Sequence, residues 1–245
     1  NTEPRYFTLD QNELEVANSF ARYNLVSAPV VTESMRLIGR ITVDDVVDVI
    51  REESERTLLH SAGLSEDEDM FAPVLPSAMR RGIWLGINLI TVFAAAWVIG
   101  RFEEALDKIV ALAVLMPVVA SMGGVAGNQT LTLVTRGIAL DQVRRSNVRR
   151  LLFRELALSL LNGFFWAIVV AMVAVYWFDS VQLGIVFGVA LVLNLLTGAI
   201  AGTLVPLLLQ RIGVDPALAG GVVLTAATDV VGFLSFLGLA TVFLL

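Results

Sequence analysis

Gly82-Ile-Trp-Leu-Gly-Ile-Asn-Leu-Ile-Thr-Val-Phe-Ala-Ala-Ala-Trp-Val-Ile-Gly100 carries no charge over 19 residues. At ~1.5 Å per residue a helix of this length reaches about 28 Å, close to the ~30 Å hydrocarbon thickness of a bilayer. A helix also satisfies its own backbone hydrogen bonds, which lipid cannot do. The segment is therefore read as a transmembrane helix, and the rest of the chain is read outward from it. Four more apolar stretches follow, at 109–135, 152–178, 182–209 and 217–244. Each reaches the length of about 20 residues that a span needs, so five spans are expected. The second contains Pro117 and a glycine-rich segment. Such a break is tolerated where other helices or a wet cavity satisfy the freed backbone groups.

The whole sequence is 56% hydrophobic with a mean hydropathy of +0.77, too apolar for an ordinary soluble domain. Charge divides it. Residues 1–79 hold 15 acids and 6 bases, a net of −9, whereas residues 80–245 hold 8 acids and 11 bases, a net of +3. An acidic, water-facing part thus joins a mildly basic apolar part near Pro76–Arg81. The absence of cysteine excludes disulfides and thiolate metal sites, and the single histidine, His60, excludes a histidine-rich zinc site. Residues 1–30 lack an apolar core segment, so no signal peptide is expected, and Asn1 is not expected to be the natural start.

Arg80, Arg81, Arg136, Arg144, Arg145, Arg149, Arg150, Arg154 and Arg211 lie at one end of the spans, nine in all, against Arg101 and Lys108 at the other. Basic residues concentrate on the cytoplasmic side. A multi-pass protein of the plasma (inner) membrane is expected, with its N-terminal part in the cytoplasm and its C-terminus outside.

Residues 6–60 read as a small α/β unit. Asp10-Gln-Asn-Glu13 has the form of a capping box with Asp10 as N-cap. It predicts a helix to about Tyr23 that buries Leu14, Ala17, Phe20 and Ala21. Leu25–Val31 and Met35–Ile41 are β-rich runs, and Thr42 caps a second helix through Val43, Val46, Val47 and Ile50. Residues 51–69 are mostly charged, ending in the acidic run Glu66-Asp-Glu-Asp69.

Asp229 is the one acid well inside any expected span, about 13 residues into the fifth, or ~20 Å along the helix. An ionised carboxylate at that depth costs several kcal/mol unless it meets water, a partner or an ion. No basic residue lies at the same depth, so an internal salt bridge is not expected. A protonated Asp229 bonded to a neighbouring helix is the bland alternative, but intramembrane acids by default handle ions or protons. Gly221, Thr225, Asp229 and Gly232 form one small, polar stripe at helical spacing. It suits a pore or a close helix contact. Met116-Pro-Val-Val-Ala-Ser-Met-Gly-Gly-Val-Ala-Gly-Asn-Gln-Thr130 places Pro117, Ser121, Gly124 and Asn128 on one face of the second span. Proline and glycines together can expose carbonyls to a hard cation; glycines also simply let helices approach. Asn194, Thr197 and Thr203 in the fourth span are read as interhelical hydrogen-bonding groups.

Ala28-Pro-Val-Val31 and Gly39-Arg-Ile-Thr-Val-Asp-Asp45, the segment from Pro117 through Met122-Gly-Gly-Val-Ala-Gly-Asn-Gln129, and Thr225-Ala-Ala-Thr-Asp229 follow one another in an order that resembles the MgtE family of magnesium channels. The resemblance covers nearly the whole chain. It implies a mainly α protein: a cytoplasmic α/β CBS-type repeat at 1–60, half of a pair, a connector helix at 61–80, and a polytopic five-helix transmembrane pore domain at 81–245. With one CBS repeat and no N-terminal helical domain, the chain is expected to be truncated. The family's pore lies on the two-fold axis of a homodimer. By resemblance Asp229 from both subunits faces one hydrated magnesium, with the Thr225 carbonyl one turn earlier. Pro117, Ser121, Gly124, Asn128, Gly221 and Gly232 are expected to line the pore, although many relatives have asparagine where this chain has Val125. Thr42 and Asp45 match a Thr-x-x-Asp pattern that holds a ribose in CBS domains, which makes ATP an expected cofactor beside Mg2+; the same pair also reads as a helix cap.

Asp44, Asp45, Asp48, Glu52, Glu53, Glu55 and the 66–69 run would repel their copies in a dimer. Cytosolic magnesium could bridge them, an electrostatic switch on a two-state element. The resemblance puts sensor carboxylates at Asp45, Asp48 and Glu53; relatives often carry a further acidic pair where this chain has Arg56-Thr57. The simpler reading of these acids is a solvated cytoplasmic face. The expected function is a magnesium-selective channel, gated by cytosolic Mg2+, that moves Mg2+ inward down its electrochemical gradient, with the bilayer, Mg2+ and other divalent cations as partners and no nucleic acid. The alternative is a secondary, ion-coupled divalent-cation transporter. That class usually shows inverted repeats, and no second copy of the glycine-rich break is present. A membrane enzyme is disfavoured because no His/Asp/Glu cluster with ligand spacing occurs in the spans. A chloride channel is disfavoured because no cation lies at mid-span.

Overall fold

The computed structural model describes residues 5–64, 71–140, 142–143 and 146–245. The chain forms two compact units, 1–68 and 69–245. The acidic run at 66–69 and Arg144 and Arg145 lie outside the described residues.

The first unit runs β1 (Phe7–Thr8), α1 (Glu13–Tyr23), β2 (Ser27–Val31), β3 (Leu37–Thr42) and α2 (Val43–Ser61). Its sheet has the order β1-β2-β3, with β1 parallel and β3 antiparallel to β2. Phe7, Val16, Ala17, Phe20, Ala28 and Val46 form its core. Phe7 and Phe20 stack with ring centroids 5.8 Å apart.

The start of α1 departs from the expected capping box. The Gln11 N–H donates to the Thr8 carbonyl at 3.3 Å, and the Thr8 N–H donates to Gln11 Oε1 at 3.1 Å. Leu9 and Asp10 are held in that turn, so Asn12 becomes the N-cap, its Oδ1 accepting from the Leu14 N–H at 2.9 Å. The helix buries Val16, Ala17 and Phe20, while Leu14 and Ala21 stay exposed. The cap of α2 is as expected, but of its apolar residues only Val46 is buried, with Val49 packed against the core; Val43, Val47 and Ile50 are exposed.

The second unit contains α3 (Val74–Gly100), α4 (Glu103–Lys108), α5 (Val110–Ala139), α6 (Val148–Phe178), α7 (Val181–Arg211) and α8 (Pro216–Leu244). All except the short α4 are long and apolar enough to cross a membrane, five in total among the described residues. They match the five expected spans, extended at the ends. Residues 74–80 of the expected connector are the first turns of α3. α5 continues through Pro117, whose missing N–H leaves the Ala113 carbonyl without its helical donor but does not break the helix.

α7 packs against α5, α6 and α8, and α3 packs against α8. Glycines make that central position possible. A Cβ on Gly188 would stand 3.1 Å from the Ala167 carbonyl of α6, and one on Gly202 would stand 2.6 Å from the Gly127 carbonyl of α5. Between them Leu112, Leu115, Val119, Phe187, Phe236 and Leu237 form a core at the α4 end. Ile90, Phe93 and Trp97 of α3 and Phe165, Ile168 and Met172 of α6 point outward, exposed, as the lipid-facing side of a bundle does.

Candidate ion pathway

α5 and α8 lie side by side and antiparallel. A Cβ on Gly124 would be 3.9 Å from Thr228 Oγ1, one on Gly127 2.7 Å from Leu224 Cδ1, and one on Gly220 2.9 Å from Leu131 Cδ1. This register sets Asp229 level with Gly123 and Gly124. It brings together the two stretches that the sequence singled out separately.

Asp229 lies near the middle of the 29-residue α8 and is half-buried. No described residue gives it a hydrogen bond or an ion pair. Thr225, one turn away, is exposed and turns its hydroxyl back onto the Gly221 carbonyl at 2.9 Å. Its carbonyl carries the helical bond of mid-α8 and also shares the buried Thr228 hydroxyl with the Leu224 carbonyl, each at 3.1 Å. The expected stripe divides here. Gly221, Thr225 and Asp229 lie on the open side of α8, whereas Gly232 is buried against the Asn194 side chain.

On α5, Pro117, Ser121 and Asn128 are exposed and Gly124 is half-buried beside α8. The glycine-rich segment therefore has two faces. Gly124 lets α8 in, Gly127 is buried between α7 and α8, and Gly123 is buried against α7, where a Cβ on Gly198 would stand 2.8 Å from the Gly123 carbonyl. Those carbonyls point into a helix contact. By this register Ser121 is the exposed residue of α5 nearest the depth of Asp229, with Val125, 57% exposed, one turn further along and Asn128 a turn beyond it.

Of the polar residues of α7, one behaves as expected. Asn194 donates from Nδ2 to the Val119 carbonyl of α5 at 2.7 Å. Thr197 and Thr203 instead bond within their own helix, to the Leu193 and Ala199 carbonyls at 2.9 and 2.8 Å, because a threonine hydroxyl reaches the preceding turn more easily than a neighbouring helix. Asn194 is fully buried, and its Oδ1 has no hydrogen-bond partner. An unmade bond of this kind costs about 1–3 kcal/mol.

Glu155 was not singled out by the sequence, because it sits at the edge of its span beside Arg154. It is buried, accepting from the Thr130 hydroxyl of α5 at 3.0 Å and from Arg154 Nη1 at 2.9 Å. An acid in the second turn of an apolar helix, next to an arginine and level with a threonine on the preceding span, is the signal that could have found it. The pair ties α6 to α5 two residues beyond Asn128.

In the first unit, Asp45 Oδ2 accepts from both the N–H and the hydroxyl of Thr42, each at 2.9 Å. That is the helix-cap reading of the Thr-x-x-Asp pattern. Asp45 and Asp48 are exposed on α2; Glu53, half-buried, lines a groove of about 570 Å3 between α1 and α2 with Glu13, Glu52, Glu55 and Arg56. Among the described residues no three acid or histidine side chains come together as a metal site.

Among the described residues five membrane-length helices define a multi-pass membrane protein, and an unpaired carboxylate lies midway along one of them. The family model for MgtE, described as a divalent cation transporter, matches residues 116–239, the whole stretch from Pro117 through Asp229. The chain is 35% identical over 234 residues to the magnesium transporter MgtE of Bacillus subtilis (strain 168), covering 96% of this chain and 52% of the relative. It is 34% identical over 247 residues to that of Thermus thermophilus, covering 100% and 54%, and 30% identical over 230 residues to that of Enterococcus faecalis, covering 94% and 51%. This chain belongs to the MgtE family of divalent cation transporters. It spans about half the length of the curated relatives it matches.

Proposed function

We propose that the chain supplies one half of a magnesium channel, in which two copies meet about a two-fold axis and the open sides of α5 and α8 line the pore. The reading rests on Asp229, a half-buried carboxylate midway along α8 with no partner among the described residues. Facing lipid, the charge costs several kcal/mol; facing its twin across a divalent cation, that cost is offset. Two carboxylates neutralise one Mg2+, which keeps most of its waters because it dehydrates reluctantly. Ser121, Asn128 and Thr225 offer polar groups to that water shell. The relatives' name, magnesium transporter, favours Mg2+ among the divalent cations.

With the arginine-rich end in the cytoplasm, an inside-negative potential of 100 mV draws a divalent ion inward by roughly 4.6 kcal/mol, twice the single-charge figure. No coupled ion is needed. Cytosolic magnesium closes the pore by bridging the acidic faces at Asp45, Asp48 and Glu53 of two N-terminal units. Recording from inside-out patches tests both statements. The current should reverse near the magnesium equilibrium potential and survive collapse of the proton and sodium gradients at constant voltage. Millimolar magnesium on the cytoplasmic side should lower the open probability, and Asp48→Ala with Glu53→Ala should blunt that effect. Flux that stops with the proton or sodium gradient would move the protein to the ion-coupled transporters. An open probability indifferent to cytosolic magnesium would remove the sensor.

The two-fold pore has its own test. The chain contains no cysteine, so in Thr225→Cys any oxidised dimer reports position 225. A reducible cross-linked dimer is expected in membranes, and none from Ile90→Cys on the exposed side of α3. Monomeric mass with full activity contradicts the arrangement.

A further inference from the structure

Asn194 enters from α7 between α5 and α8, at the one place where both present glycine. A Cβ on Gly232 would stand 2.7 Å from its Nδ2, and one on Gly123 would overlap the same amide. Gly123 is level with Asp229, and Gly232 follows it by three residues. The side chain is fully buried, bonded to the Val119 carbonyl at 2.7 Å, and left with an unpartnered Oδ1. Packing alone does not account for an amide there. Leucine has the same number of side-chain heavy atoms and would carry no unmade hydrogen bond. Sites that break such a rule are expected where function needs them.

We propose that Asn194 is a positioning residue for ion selectivity. It rests on the reading of α5 and α8 as the pore walls. Nδ2 fixes the height of α5 against α7 through Val119, and the amide plane spaces α5 from α8 at the depth of Asp229. The gap between the carboxylate and the α5 wall beside it is thereby held at one value. Mg2+ demands near-ideal octahedral geometry, whereas Ca2+ accepts six to eight ligands at longer, variable distances. A gap that is no longer fixed therefore relaxes discrimination against Ca2+ more than it lowers Mg2+ passage.

The experiment compares Mg2+ and Ca2+ flux per folded protein in liposomes. Asn194→Leu keeps the number of side-chain heavy atoms but loses the bond to Val119, and its Mg2+-to-Ca2+ flux ratio should fall about fivefold, the worth of one hydrogen bond. Its Mg2+ flux per folded protein should fall less than the ratio does, a pattern that a purely structural role would not produce. If leucine does not fold, Asn194→Ala must show the same fall, since it removes the bond without adding bulk. An unchanged ratio in the variant that folds overturns the proposal. Asp229→Asn is measured alongside. If it is inactive while Asn194→Leu keeps the native ratio, only this inference is lost; if Asp229→Asn conducts normally, the pore reading falls and this inference with it.

Discussion

Asp229→Asn should fold normally and lose divalent flux by roughly 100-fold or more, the equivalent of a few kcal/mol of ion binding. The asparagine keeps the shape and one carbonyl oxygen, so any loss reports the charge. No described residue pairs with Asp229, so its removal breaks no hydrogen bond or ion pair on that side of α8 and relieves the cost of a half-buried carboxylate. Thermal stability should therefore hold or rise while flux vanishes. That opposite movement separates an ion-binding role from a structural one. If Asp229 were a protonated residue anchoring a neighbouring helix, the asparagine would keep the hydrogen bond, and flux would persist. Normal magnesium flux in Asp229→Asn, measured in liposomes with purified protein, would sink the pore.

Much of this was readable beforehand because lipid imposes simple rules. A span must be apolar for about 20 residues, and one acid in mid-span stands out against that background. The five helices and Asp229 follow from those two statements. The ends of the spans were less legible, since α3 begins at Val74 and α6 at Val148, in sequence that carries arginines the headgroup region tolerates. What the sequence left open was which face each small residue serves. Gly123, Gly124 and Gly127 lie within five residues, yet Gly123 packs on α7, Gly124 faces α8 and Gly127 touches both. Only the partner helices decide that, through Gly198, Gly202 and Thr228. Glu155 escaped for the opposite reason, because its polar partner Thr130 is 25 residues away in sequence and on another helix. In the first unit β1 has only two residues, and the Thr8–Gln11 turn that moved the helix start depends on a side chain no capping rule weighs.

Gly202→Ala should be the most destabilising single methyl that can be added to α7. Gly123-x-x-x-Gly127 on α5 and Gly198-x-x-x-Gly202 on α7 bring two parallel helices into backbone contact, the small-residue packing that membranes use where no hydrophobic force draws helices together. A Cβ at 202 would stand 2.6 Å from the Gly127 carbonyl, 2.9 Å from Thr130 Cβ and 3.1 Å from the Leu131 nitrogen. Two of those three atoms are backbone, so no rotamer change makes room. The helices must part, at about 1–3 kcal/mol for overpacking or more. The separation also strains the Asn194–Val119 bond, which joins the same two helices, and the Thr130–Glu155 bond, which ties α5 to α6. Flux and stability should thus fall together, unlike in Asp229→Asn. Gly86→Ala supplies the control: it lies in α3, a Cβ there meets nothing within 4 Å, and alanine favours the helix by up to about 1 kcal/mol. The two variants are compared by thermal unfolding in one detergent, so that micelle effects cancel. A Gly202→Ala protein as stable as Gly86→Ala would mean that α5 and α7 do not touch as described, and the seating of α5 beside Asp229 would have to be redrawn.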